Sequence, residues 1–134
     1  MKSWIKLRAL IDRDLNDAAL SGLSADRRFA TAYNAALQTA KTAIACAGYR
    51  VASVPGHHWL HFEAARIALG SSADRFLDYF ETSRRKRNVI DYDYAFVTTD
   101  TEAEEILTEA KAFSAFVEHW ISLEHPSLAK RVTP

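Results

Sequence analysis

The residues best suited to chemistry in this chain lie in one stretch, SRRKRNVIDYDYAF, at positions 83–96. Its basic run, residues 84–87, could hold a phosphate group through charge-assisted hydrogen bonds. Asp91 could pair with one of these cations, and Tyr92 and Tyr94 could pack in an interface. The stretch therefore leaves three alternatives: a solvated helix end, a nucleic-acid patch, or a site.

Helical phase divides the basic run into two pairs. At 100° per residue, one narrow sector contains Phe76, Phe80, Ser83, Arg87, Ile90 and Tyr94. Arg87 continues this apolar sector and is costly to bury unless it is paired, so Asp91, one turn later, is its expected partner. Arg84 flanks the other side of Asp91, whereas Arg85 and Lys86 point away and are predicted to be solvated.

The elements that position this stretch are predicted to be helices, because apolar residues recur at spacings of three and four. The first helix spans about 3–20. Ser24 is the predicted N-cap of the second, which continues to Gly48. A loop then leads to a short third helix at about 57–69.

The fourth helix carries the basic stretch, and Ser72 is its predicted N-cap. Thr101 and Glu104 have the spacing of a capping box and are predicted to begin the fifth helix. After Trp120 the apolar pattern weakens, so the tail, residues 122–134, is predicted to fray.

The predicted fold is all-α, an antiparallel bundle of four to five helices, because no alternating strand pattern appears and the loops are short. The 134 residues suit a single domain, 1–134, with its core at about 25–121. We find no repeat and no second domain.

Composition limits the functional classes. The 17 basic residues equal the 17 acidic ones, so any binding to RNA must come from a local concentration of charge. The single Cys46 fits a small buried residue in a reducing compartment. No signal peptide or membrane-spanning run is found, and a cytoplasmic protein is expected.

Two further features of the sequence bear on binding of a metal or a cofactor. His57 and His61 are one turn apart, a spacing that can chelate zinc, but Glu63 does not share their face and a third ligand is lacking. No glycine-rich phosphate loop is present, which argues against a P-loop or dinucleotide site. We therefore expect no metal and no cofactor.

The motif and the helix order together resemble the HEPN superfamily, the higher eukaryote and prokaryote nucleotide-binding domain, over about residues 25–121. The family signature is an Arg, a polar residue that is often Asn, and a His four to six residues after the Arg; the toxin branch adds a Tyr two positions later. Arg87, Asn88 and Tyr94 match, and an acidic fifth helix follows. Tyr92 stands where the His is expected.

The resemblance implies metal-independent RNA cleavage in a groove between two subunits. The catalytic positions that it implies are Arg87, Asn88 and Tyr92, and the positions that bind nucleotide or RNA are Arg84, Arg87, Asp91 and Tyr94. Tyrosine has a reference pKa near 10 and is a poor acid–base group at neutral pH. The expected function is therefore binding of RNA or nucleotide without full ribonuclease activity.

The resemblance also implies partners. It predicts a homodimer formed through the third and fourth helices, and a minimal nucleotidyltransferase that acts as antitoxin and can modify Tyr94. Two alternatives stay open. One is an active metal-independent endoribonuclease toxin, and the other is a structural protein-interaction module in which Arg87 and Asp91 form an ion pair at an interface.

Overall fold

The computed structural model describes residues 3–51, 58–91 and 97–130, with the side chains of Ser3 and Asp91 excepted. Within these ranges the chain is a bundle of α-helices without a strand, which confirms the all-α prediction. The helices are α1 (Ser3–Ala18), α2 (Ala25–Cys46), α3 (His58–Leu69), α4 (Asp74–Asp91) and α5 (Asp100–Glu124), with short 3₁₀ turns at Ser71–Ala73 and Pro126–Leu128.

The α2 helix is the centre of the bundle, since it contacts α1, α3, α4 and α5. Small side chains line its buried side: Ala32, Ala35, Ala36, Ala40 and Ala43 are each at most 1% exposed. Because alanine side chains are small, the neighbouring helices can approach α2 closely, and α2 can pack against four helices at once.

Aromatic side chains join α3, α4 and α5. The ring of Phe80 stacks on Phe62 at 6.0 Å and lies 5.5 Å from Phe113, while Phe76 lies 5.4 Å from Phe113. Burying each phenylalanine contributes about 1.5–3 kcal/mol. This cluster fixes the rotation of α4, and therefore the direction in which its last two turns point.

The ends of α2 follow the predicted signals. The Ser24 hydroxyl accepts a hydrogen bond from the Arg27 backbone N–H at 3.2 Å. At the other end Gly48 has a positive φ of 86°, and Tyr49 N–H donates to the Ile44 carbonyl at 3.1 Å. This is a Schellman closure, and it turns the chain back alongside the last turn of α2.

Two other predicted caps were wrong. The capping box of α5 is formed by Thr99 and Glu102, two residues before the predicted pair Thr101 and Glu104. Ser72 lies inside the 3₁₀ turn and does not cap α4, which begins at Asp74. Since both segments offer several Ser, Thr, Asp and Glu residues in a row, spacing alone does not select one.

The chain after Trp120 is more ordered than the weak sequence pattern predicted. The α5 helix continues to Glu124, and the His125 ring lies 5.0 Å from that of Trp120. Leu128 packs against the core, and Lys130 Nζ is 3.7 Å from Asp12 Oδ1. Residues 122–130 therefore form part of the bundle, whereas residues 131–134 lie outside the described range.

Buried and half-buried arginines tie the helices together. Arg8 of α1 donates two hydrogen bonds to the Glu118 carboxylate of α5, at 2.8 and 3.0 Å. Arg28 of α2 donates to the Ala18 carbonyl at the end of α1 and pairs with Glu104 of α5. The α1 helix is thereby attached at its second turn and at its last residue, and it stops at Ala18 rather than at the predicted residue 20.

Candidate functional site

The last two turns of α4 carry the residues that the sequence singled out. Arg84 and Arg87 are half-buried, and Arg85 and Asn88 are exposed. At 100° per residue Arg84, Arg87 and Asn88 fall within about 100° of one another, so they share one side of the helix. The prediction that Arg85 is solvated is confirmed.

Arg84 lies beside an acidic residue of its own helix. Its Nε is 3.8 Å from Glu81 Oε2, and the Arg84 side chain is 32% exposed. Burial raises the pKa of Glu81; the Arg84 charge opposes this shift, while Glu63 of α3 adds to it. Glu81 Oε1 is buried and has no hydrogen-bond partner in the described part of the chain. This carboxyl therefore belongs to the candidate site.

Lys86 was wrongly predicted to be solvated. Its ammonium pairs with the Glu102 carboxylate of α5, donates to the Val97 carbonyl at 3.3 Å and lies 5.9 Å from the centre of the Phe29 ring. The physical reason is that α5 and α2 begin beside this flank of α4. A cation that helical phase places away from the sector of Phe80 is thus still covered by two neighbouring helices.

A cleft of about 240 Å³ opens beside this ion pair, between α2, α4 and α5. Its lining residues are Phe29, Tyr79, Thr82, Ser83, Lys86, Glu102 and Glu105. Burial raises the pKa of Tyr79, and the nearby Glu105 carboxylate raises it further. The hydrogen bond from Lys86 and those from Thr99 lower the pKa of Glu102 to about 2. Tyr79 therefore stays protonated and Glu102 stays ionised at neutral pH.

Part of the predicted site lies outside the described residues. Tyr92 and Tyr94 fall in the segment 92–96, and of Asp91 only the backbone is described, as the last residue of α4. The predicted ion pair of Arg87 with Asp91 is therefore untested, as are the predicted roles of the two tyrosines.

Sequence reasoning missed three acidic or aromatic residues near the site. Glu81 precedes Arg84 by three positions, a spacing at which side chains meet on a helix, so it could have been found. Tyr79 and Glu102 gave no such signal, because their position depends on how α5 packs against α4.

Among the described residues, neither the histidines nor the cysteine belongs to a cluster that could hold a metal ion. Within residues 3–51, 58–91 and 97–130 no group of three or more potential ligands converges, and His57 lies outside these ranges. Burial raises the pKa of the Cys46 thiol, and the side chain is 5% exposed. The prediction that Cys46 is a small buried residue is confirmed.

Comparisons with protein-family models, with curated proteins and with solved structures find no match to this chain. Among the helices that the structure describes, none is long and apolar enough to cross a membrane.

Proposed function

We propose that this chain is a HEPN-type helical protein that binds RNA or nucleotide on the last two turns of α4, in a groove formed with a second copy. Arg84 and Arg87 contact phosphate, and Asn88 supplies an amide on the same side. The groove binds without full ribonuclease activity, because Tyr92 replaces the histidine that the family uses for proton transfer.

One observation supports this proposal most directly. Four consecutive cations occupy residues 84–87, and one of them, Lys86, is held by Glu102 on a different flank of α4. Of the three arginines, Arg84 lies beside Glu81, a carboxyl whose pKa burial raises. A half-buried arginine with a planar set of donors suits phosphate oxygens better than a flexible surface lysine does.

The test is binding of a fluorescently labelled single-stranded RNA, measured by anisotropy. Arg87→Ala and Arg84→Ala should each weaken binding about tenfold, the effect of one charge-assisted contact. Arg85→Ala is the matched control, because it removes the same charge from an exposed position of the same helix. Equal losses in all three variants would indicate only general charge attraction. Absence of RNA or nucleotide binding by the wild-type protein would contradict the proposal.

Catalysis is tested separately by incubating the purified protein with cellular RNA in excess chelator. The wild-type protein should give no cleavage above buffer, whereas Tyr92→His, which restores the family motif, should gain cleavage that Arg87→Ala abolishes. Cleavage by the wild-type protein would instead support the active endoribonuclease.

Dimerisation and the partner are tested by two further measurements. Sedimentation should give twice the chain mass of 15.0 kDa. Co-expression with a minimal nucleotidyltransferase should add nucleotide mass to the peptide that contains Tyr94, and Tyr94→Phe should remove it. An unmodified peptide would exclude the modification while leaving the RNA-binding test intact.

A further inference from the structure

A second cationic region lies at the other end of α2, where the chain leaves the helix. The Schellman closure at Gly48 turns the backbone back, and Tyr49 and Arg50 line a pocket together with residues of the last turns of α2. His61 of α3 completes the wall. The resulting pocket has a volume of about 360 Å³ and is lined by Lys41, Ile44, Ala45, Tyr49, Arg50, Val51 and His61.

The charge of this pocket is of one sign. Lys41 and Arg50 are both in its lining, and none of its described lining residues carries a carboxylate. Across the described ranges, neither cation forms an ion pair, whereas Arg8, Arg28 and Arg66 each bind a carboxylate of another helix. Positive charge gathered in a concave, partly apolar pocket attracts an anion more strongly than the same charge on an open surface.

His61 experiences this positive field. Burial lowers the pKa of its ring, and the charges of Lys41 on α2 and His58 on α3 lower it further. Its Nδ1 is buried, and no hydrogen-bond partner for that atom exists in the described ranges. No contact among the described residues therefore stabilises the protonated His61 ring. An anion bound in the pocket would stabilise it.

We propose that this pocket binds a phosphate monoester, with Lys41 and Arg50 contacting the phosphate and the Tyr49 ring contacting the group that carries it. The volume accommodates a phosphate together with part of an attached ring. Ile44 and Val51 provide an apolar floor, and Tyr49 is 63% exposed, so its ring is accessible for stacking. A nucleoside 5′-monophosphate has both parts.

This site is independent of the proposed RNA groove. No described residue of α4 lines the pocket. The Arg87→Ala variant should therefore lose RNA affinity, while the backbone shifts that adenosine 5′-monophosphate causes at Lys41, Tyr49 and Arg50 stay as in the wild type. Failure of either proposal leaves the other testable.

The experiment uses the full chain and three probes: adenosine 5′-monophosphate, inorganic phosphate and adenosine. Binding is followed by nuclear magnetic resonance, through backbone shifts and the titration of the His61 ring. Lys41→Met and Arg50→Ala should each weaken monophosphate binding about tenfold. Arg27→Ala is the matched control, since it removes an exposed cation from the first turn of α2. Because Arg50 is exposed and follows the helix, its variant should keep the fold, which circular dichroism checks.

Saturation with adenosine 5′-monophosphate should also raise the pKa of His61, because a bound anion opposes the charges of Lys41 and His58. Weaker but measurable binding of inorganic phosphate would show that the phosphate itself is recognised. The proposal is overturned if adenosine binds as tightly as the monophosphate, or if Lys41→Met and Arg50→Ala bind like the wild type. It is also overturned if no shift appears at about 10 mM monophosphate, roughly ten times the concentration that half-fills a millimolar site.

Discussion

Lys86 at the end of α4 forms an ion pair with Glu102 in the first turn of α5, 16 residues later in the chain. Glu102 also accepts a hydrogen bond from the Thr99 backbone N–H at 3.0 Å, and Lys86 donates to the Val97 carbonyl. One lysine and one glutamate therefore attach the entry of α5 to the exit of α4. This attachment lies next to the arginines that we propose to bind phosphate.

Removing the charge of Glu102 should change how stability depends on pH. The pKa of Glu102 falls from an ordinary 4.5 to about 2 in the folded chain. The stabilisation of the folded chain by the ionised Glu102 carboxylate is therefore fully present above about pH 4.5 and is lost as the pH falls toward 2. Since the Glu102 side chain is 41% exposed, solvent screening limits the effect to about 0.5–1 kcal/mol.

The measurement is urea unfolding of wild type and Glu102→Gln at several pH values. Glutamine can still accept the capping hydrogen bond, so the variant isolates the charge. The two proteins should differ at pH 7 and converge near pH 2. A constant difference across this range would contradict the assignment of the shift to Glu102.

The capping box of α5 should be sensitive at Thr99 and insensitive at Thr101. The Thr99 hydroxyl accepts a hydrogen bond from the Glu102 backbone N–H at 3.1 Å, whereas Thr101 is exposed within the first turn. Thr99→Ala should lower the free energy of unfolding by about 1 kcal/mol. Thr101→Ala should change it by less than about 0.5 kcal/mol. A larger loss of stability in Thr101→Ala than in Thr99→Ala would instead support the capping box of Thr101 and Glu104 that spacing predicted.

Enlarging the buried side of α2 should destabilise the bundle. Ala40 is fully buried in the core cluster, so Ala40→Leu should cost about 1–3 kcal/mol through overpacking. Ala112→Leu makes the same change at an exposed position of α5 and should be nearly neutral. Thermal and urea unfolding measure the stability of both variants against the wild type. A neutral Ala40→Leu would indicate that α2 is not tightly surrounded.

The contact between α1 and α5 should depend on the Glu118 carboxylate. Glu118→Ala leaves Arg8, whose side chain is 14% exposed, without its two hydrogen bonds and should cost about 1.5–3 kcal/mol. Glu124→Ala, at an exposed position of the same helix, is the control. Hydrogen exchange should show α1 opening more readily in Glu118→Ala only, and equal protection in both variants would contradict a role for this pair in holding α1.

Local pattern predicted the helices and their buried sides, because both depend on periodicity within one segment. The aromatic sector of α4 is an example: Phe76, Phe80 and Ser83 are all buried as phase predicted. Lys86 was predicted wrongly, since its environment depends on where α5 and α2 begin. The sequence pattern also did not predict the pocket of Lys41 and His61, because helix propensity does not specify which turns of α2 and α3 lie opposite each other.

The alanines of α2 have a consequence for how this sequence can change over generations. A helix that contacts four others through small side chains accepts few replacements, since each larger residue displaces several neighbours at once. The exposed side of α4 carries no such restriction. The spacing of small residues along α2 should therefore change more slowly than exposed positions of α4 outside the proposed binding side, such as Arg85.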